Sequence, residues 1–278
     1  MLESATLTKL KEKALEIRKS TIREIAAFGS GHIGGSMSIV ELLTILYYLE
    51  MNVDPSDSLK ADRDRFVCSK GHAGPAVYAT LALKGFFPLS WLSTLNQGGT
   101  RLPSHCDMTK TPGVDFTGGS LGQGISAAVG IALGQRILGQ ESRTYCVIGD
   151  GESQEGQVYE AAETAGAWHL SNLTLFLDDN GQQLDGYVKD IIPEGNNVAR
   201  WQSFGFNVIE VDGHNFNELY DAIESAKREK DKPTMVIMHT QKSHGFIPGE
   251  GIKGNHSMAF KGEEAEAAIK ELEKREAL

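Results

Sequence analysis

The stretch "VIGDGESQEGQVYEAAETAGAWHLSNLTLFLDDN", Val147 to Asn180, decides the fold. An apolar run stops at Gly149-Asp150-Gly151, a helix-spaced segment "EGQVYEAAETAGAW" follows, and a second apolar run stops at Asp178-Asp179-Asn180. Two continuous apolar strands joined by a helix run parallel, since a tight turn could only bring the second strand back antiparallel. Downstream the alternation continues through "NVARWQSF", "FNVIEVDG", "FNELYDAIESAKR" and "PTMVIMHT". Strands without polar alternation are covered on both faces, so the expected fold is α/β: a doubly wound, mostly parallel sheet with helices on both sides.

Upstream, apolar positions recur at helical spacing from Leu7 to Phe28 and stop at Gly29-Ser30-Gly31, which predicts a long opening helix. A second helix is expected in "SIVELLTILYYLEM", with Ser38 as N-cap and Glu41 at capping-box spacing. "RFVCSKGHAGPAVYATLALKGF" predicts a short strand, a glycine turn and a helix; "SLGQGISAAVGIALGQRILG" predicts a Gly/Ala-rich helix packed closely on neighbouring backbone. With no internal repeat and no linker, residues 1–278 are expected to form a single domain.

The chain of 278 residues is 40% apolar with 8 prolines and 31 glycines, which suits one large core. A net charge of -10 speaks against nucleic acid or an anionic membrane as partner, because both need clustered Lys and Arg. The cysteines Cys68, Cys106 and Cys146 are odd in number and far apart, which suggests neither a disulfide framework nor a cysteine zinc site. The charged N-terminal segment has no apolar core and no run reaches membrane-spanning length, so a cytoplasmic location is expected.

In a parallel sheet, ligands bind beyond the carboxyl ends of the strands. Asp150 and Asn180 both sit at such ends, and if their strands are adjacent the two side-chain oxygens converge. A hard cation such as Mg2+ takes oxygen ligands of this kind and completes its shell with phosphate oxygens and water. Gly151, lacking Cβ, would let a phosphate approach the backbone N–H groups at the next helix start. Taken singly, Asp150 and Asn180 are also ordinary cap and turn residues.

In combination, Gly149-Asp150-Gly151 and Asn180 with strand, helix and strand between them resemble the thiamine diphosphate binding motif. "GDGESQEG" and "DDNGQQLDG" are similar to segments of transketolases. The resemblance extends, in the family's order, through "GSGHIGGSMS", "DRFVCSKGHAG", "LPSH", "PGVDFTGGSLGQGISAAVGIA" and "WHLSNLTLFLDDN". It implies the diphosphate-binding domain of the thiamine diphosphate fold. It makes Asp150, Asn180 and the carbonyl of Gln182 the ligands of Mg2+, with Ca2+ or Mn2+ able to replace it. Gly151 would meet the diphosphate, Gly119 and Leu121 the aminopyrimidine, and Leu184 would pack on the cofactor. Glu155 matches an acidic residue at the family's subunit interface, although a solvated helix charge would look the same.

By the same resemblance His32, His72 and His105 line a substrate channel, with His72 also reaching the diphosphate. Each lies in a glycine- or proline-rich loop, where imidazoles can bond substrate hydroxyls and move protons. A fourth channel histidine corresponds to His256 or to His244, with His256 favoured. His169 and His239 are expected to be structural, beside apolar elements, and His214 in "VDGHN" to be a turn residue. Ile33 stands where many transketolases have Pro, and "QKSHGFIPGEGIKGNHSMAF" departs from the usual ending; both border the substrate.

The resemblance implies two-carbon ketol transfer from a ketose to an aldose. A full transketolase also has pyrimidine-binding and C-terminal domains, including the glutamate that activates the cofactor. Those domains are expected on a separate chain, in an α2β2 assembly inactive without the partner. Pentose phosphates, a sulfonated ketose and a branched sugar phosphate stay open as substrates. The alternatives are a 1-deoxyxylulose-5-phosphate synthase, a dehydrogenase component or a non-catalytic binding subunit.

Overall fold

The computed structural model describes residues 1–276, so the last two residues of the expected 1–278 domain lie outside it. The long opening helix α1 spans Ser4–Phe28 and ends at Gly29 in the left-handed region. The expected second helix is instead divided: α2 is Ile33–Met37 and α3 is Val40–Ile45, extended by a π-helical turn at Leu46–Glu50. Ser38 does not cap α3. Ile39 occupies that position without a side-chain cap, because the Ser38 hydroxyl donates to Asp178 far along the chain and Glu41 is held by Arg18. Long-range partners of a buried hydroxyl and carboxylate outweigh a local capping pattern.

The remaining elements follow the expected alternation. They are β1 (Arg65–Cys68), α4 (Gly74–Lys84), α5 (Gln123–Ile137), β2 (Thr144–Gly149), α6 (Gly156–Ala167), β3 (Leu173–Asp179), α7 (Val188–Ile191), α8 (Asn197–Ser203), β4 (Asn207–Asp212), α9 (Phe216–Arg228), β5 (Thr234–His239) and α10 (Gly262–Glu276). The five strands form one sheet of order β1-β2-β3-β5-β4 in which every neighbouring pair is parallel.

Alternate residues of each strand feed two cores. Tyr145, Val147, Phe176, Val236 and Met238 face the side covered by α1, α3, α4 and α9. Cys146, Ile148, Leu175, Leu177, Met235 and Ile237 face the side covered by α5, α6 and α8. A sheet sandwiched in this way buries both faces of its strands, and β2, β3 and β5 are accordingly near-continuous apolar runs with polar residues confined to Thr144, Thr174 and Thr234 near their starts and to Asp178, Asp179 and His239 at their ends. The edge strand β4 is only partly buried and correspondingly carries Asn207 and Glu210. The close packing expected of α5 holds at its first turn, where a Cβ on Gly124 would stand 2.6 Å from Ser69 Cα; Gly130 and Gly134 face open space instead.

Two short antiparallel pairings lie outside the sheet. Ser30–Gly31 pairs with Met258–Ala259, and Gln182–Gln183 pairs with Gly186–Tyr187. The first brings the residues before His32 against the segment after His256.

Candidate functional site

The register Gly149↔Asp178 places the ends of β2 and β3 side by side, and the Asp150 N–H donates to the Asp178 carbonyl at 3.3 Å. Asp150 and Asn180 therefore emerge from adjacent strands, the condition on which their convergence depended. Both line a cavity of about 240 Å³ over the carboxyl ends of the sheet. Gly151, Gln182 and Leu184 line its floor with them; Gly119, Leu121, Glu155, His72, His105 and His256 form other parts of the wall. Leu121 and Leu184 are exposed, apolar groups presented to the opening. Gly119 has φ +144, a conformation that favours glycine.

Asp150 is 2% exposed, and its Oδ2 has no hydrogen-bond partner among the described residues. Its Oδ1 accepts only the N–H of Gly151, at 2.7 Å. Burial, then the neighbouring Asp178, push the Asp150 carboxyl up to about 7. A cation beside it would reverse that shift. Asn180 is oriented by its neighbours: its amide donates to Asp178 Oδ2 at 2.8 Å, and its Oδ1 accepts the Gln182 N–H at 3.1 Å. The Gln182 carbonyl accepts from the Lys242 ammonium at 3.2 Å, so a positive charge already faces this oxygen. Asp150, Asn180 and the Gln182 carbonyl thus supply hard oxygen donors of the type Mg2+ and Ca2+ take. Gly151 has a steric reason of its own, because a Cβ there would lie 2.7 Å from Gln183 Cβ.

Above this floor four histidines meet. His32 lies 5.3 Å from His105, 5.3 Å from His256 and 5.8 Å from His72 between ring centroids, and His72 lies 4.6 Å from His256. They come from the start of α2, the turn after β1, the 103–106 loop and the segment before α10. Burial lowers all four below the ordinary imidazole range. For His72 the Lys70 charge adds to burial, and for His256, pushed down to about 3, the Lys242 charge does. The cluster is accordingly neutral at neutral pH, each ring offering one N–H and one acceptor nitrogen.

His244 is in another place. It stacks on His214 at 3.7 Å, beside Glu41, which is paired with Arg18. His214 is therefore more than a turn residue. Its Nε2 accepts the Gln241 N–H at 2.9 Å, so its Nδ1 carries the proton and donates to Glu41 Oε2 at 3.2 Å. Glu41 is thus shared between Arg18 and His214, while the buried Nδ1 of His244 has no hydrogen-bond partner among the described residues. His169 and His239 are exposed rather than packed in apolar elements: His169 pairs with Asp231 at 3.2 Å, and His239 bridges Asp179 at 3.0 Å and Glu210 at 3.2 Å.

Sequence reasoning passed over four residues that the fold brings to the cavity: Lys70, Glu152, Gln183 and Lys242. Lys70, 1% exposed, donates to Asp178 at 2.5 Å. A lysine inside the otherwise small-residue loop "SKGHAG" was the available signal. The buried Nε2 of Gln183 lacks a partner among the described residues, a free donor beside Gly151.

Residues 10–275 match the transketolase, thiamine diphosphate binding domain. Over 265 residues the chain is 49% identical to a 6-deoxy-6-sulfo-D-fructose transketolase subunit of Clostridium sp. (strain MSTE9), covering 95% of this chain and 96% of that one. It is 38% identical over 264 residues to one subunit of an apulose-4-phosphate transketolase from Actinobacillus succinogenes, covering 95% of each. A solved transketolase variant from Pichia stipitis superposes with TM-score 0.90 at 32% identity over 97% of this chain, which spans 41% of that one. The transketolase of Campylobacter jejuni gives TM-score 0.88 at 31% identity over 97% of this chain and 43% of its own. The chain belongs to the transketolase family, and its residues 10–275 match that family's thiamine diphosphate binding domain.

Proposed function

We propose that this chain is the diphosphate-binding half of a two-chain transketolase and works with a partner carrying the pyrimidine-binding and C-terminal domains. The observation that carries this reading is the buried, unpartnered Asp150 oxygen in the cavity that Asn180 also lines, near four clustered histidines. Asp150, Asn180 and the Gln182 carbonyl hold Mg2+, with Ca2+ or Mn2+ as substitutes; Gly151 and His72 meet the diphosphate; Gly119, Leu121 and Leu184 pack on the organic rings. Bound there, thiamine diphosphate supplies the electron sink that two-carbon ketol transfer requires. His32, His105 and His256 hydrogen-bond the hydroxyls and carbonyl of the sugar, and a neutral imidazole can pass a proton between them. The exposed Glu155 at the rim suits a shared carboxylate interface in an α2β2 assembly.

Two relatives bear the word subunit in their names, and they act, by those names, on 6-deoxy-6-sulfo-D-fructose and apulose 4-phosphate. A ketose with an anionic tail is therefore the donor class, and the sulfonated ketose is the first to test given the 49% identity. Three free, buried cysteines suit the reducing cytoplasm. Among the described residues, no helix is long and apolar enough to cross a membrane. The experiment is to purify the chain by itself and together with its partner, then assay ketol transfer from 6-deoxy-6-sulfo-D-fructose, fructose 6-phosphate and xylulose 5-phosphate with added Mg2+ and thiamine diphosphate. Turnover only in the mixture is expected; full turnover by this chain alone, or none by the mixture with any donor, overturns the proposal.

A further inference from the structure

Glu152 lies in the turn that follows Gly151 and is 2% exposed. Its carboxylate accepts from three separate segments. Oε1 takes the Ser69 hydroxyl at 2.5 Å and the Gly122 N–H at 2.9 Å, while Oε2 takes the Gly149 N–H at 3.0 Å. Each donor sits beside residues that face the cavity. Ser69 precedes Lys70 and His72, Gly122 follows Gly119 and Leu121, and Gly149 precedes Asp150 and Gly151. The contact of Gly124 with Ser69 locks two of these segments in van der Waals contact at the same point.

We propose that Glu152 is a positioning residue: one buried carboxylate ties together the three loops that bind the cofactor and fixes their relative height. This rests on the thiamine diphosphate reading of the cavity. All three donors need an acceptor, and only a carboxylate accepts at both oxygens. An isosteric amide keeps the packing but turns an NH2 group against at least one backbone N–H, so Glu152→Gln separates hydrogen bonding from volume.

The test uses the chain assembled with its partner, as wild type, E152Q and S69A. Titration calorimetry follows thiamine diphosphate with Mg2+ present, and amide hydrogen exchange follows the segments containing Gly122 and Gly149. E152Q is expected to raise the cofactor Kd roughly 10- to 100-fold, the usual scale for a group that holds ligands in place, with donor KM at saturating cofactor within about twofold. Exchange should quicken at Gly122 or Gly149, whichever N–H faces the NH2 group and loses its acceptor. S69A, which removes one donor and leaves the carboxylate, should raise the Kd by only about threefold. An E152Q complex with wild-type cofactor affinity overturns the proposal, as does unchanged exchange at both amides. Should E152Q fail to fold, S69A decides, and wild-type affinity there overturns it too. If the wild-type complex itself binds no thiamine diphosphate, the reading of the cavity fails, whereas exchange at Gly122 and Gly149 still decides whether Glu152 ties the loops.

Discussion

Asp150 and Asp178 end neighbouring parallel strands, are both buried, and differ in almost everything else. Asp178 accepts from Ser38 at 2.8 Å, Lys70 at 2.5 Å, Asn180 at 2.8 Å and Thr240 at 2.6 Å. Although burial pushes its carboxyl up, Lys70 and these donors hold it below the ordinary range. Asp150 has one local donor and a bare oxygen, and its carboxyl is pushed up to about 7. Asp178 is completed by the chain and serves architecture. Asp150 is not completed by the described residues, which is the basis for proposing a ligand there.

The strongest attack on this contrast is to exchange the fates of the two residues. Asp178→Ala leaves Lys70 buried and unpaired, and should cost about 3–5 kcal/mol of folding stability, read from denaturant unfolding. Asp150→Ala should do the opposite, holding or gaining stability in metal-free buffer while weakening Mg2+-dependent thiamine diphosphate binding of the assembled enzyme by about 100-fold, read by calorimetry. Unchanged cofactor affinity in a folded Asp150→Ala enzyme would remove the metal assignment. His105→Ala tests the cavity wall against its floor: kcat/KM for the donor should fall roughly 10- to 100-fold by loss of one hydrogen bond to substrate, with cofactor Kd unaltered.

Glu24 supplies the smallest and sharpest test, because it too is a buried carboxyl with both oxygens unpartnered among the described residues, yet it does not line the cavity. Burial raises it well above the ordinary range. A raised acid contributes stability at pH below its unfolded value and loses that contribution as pH climbs toward the folded one. Glu24→Gln should therefore match wild type near pH 4 and exceed it progressively above, as measured by urea unfolding across pH. Cofactor affinity should not change. A change would mean that an orphaned carboxyl marks a ligand wherever it occurs, not only where it faces a cavity.

Much of this arrangement was legible in the chain. Apolar runs such as "TYCVIG" and "LTLFLDD" carry their two-sided burial almost throughout, so β2 and β3 and the placing of Asp150 and Asn180 at strand ends could be read before any coordinates, whereas the adjacency of the two strands came from the structure. What stayed hidden depends on partners distant in sequence. Ser38 and Glu41 spell a capping box but answer to Asp178 and Arg18. Lys242 looks like any surface lysine, yet 3% exposure places its ammonium at the Gln182 carbonyl. His214 reads as a turn residue because nothing local reveals the stack on His244. Periodicity reports which face is buried; it does not report which buried polar groups meet.

The small pairing of Ser30–Gly31 with Met258–Ala259 bears on the order of assembly. It joins segments from opposite ends of the sequence, so its loop-closure entropy is lost before any contact repays it. The sheet, α1 and α4 can form from nearer neighbours. The histidine quartet, by contrast, exists only after the last segment docks, since His256 closes on His32 through that pairing. Completion of the histidine quartet should therefore trail the appearance of secondary structure in a refolding trace.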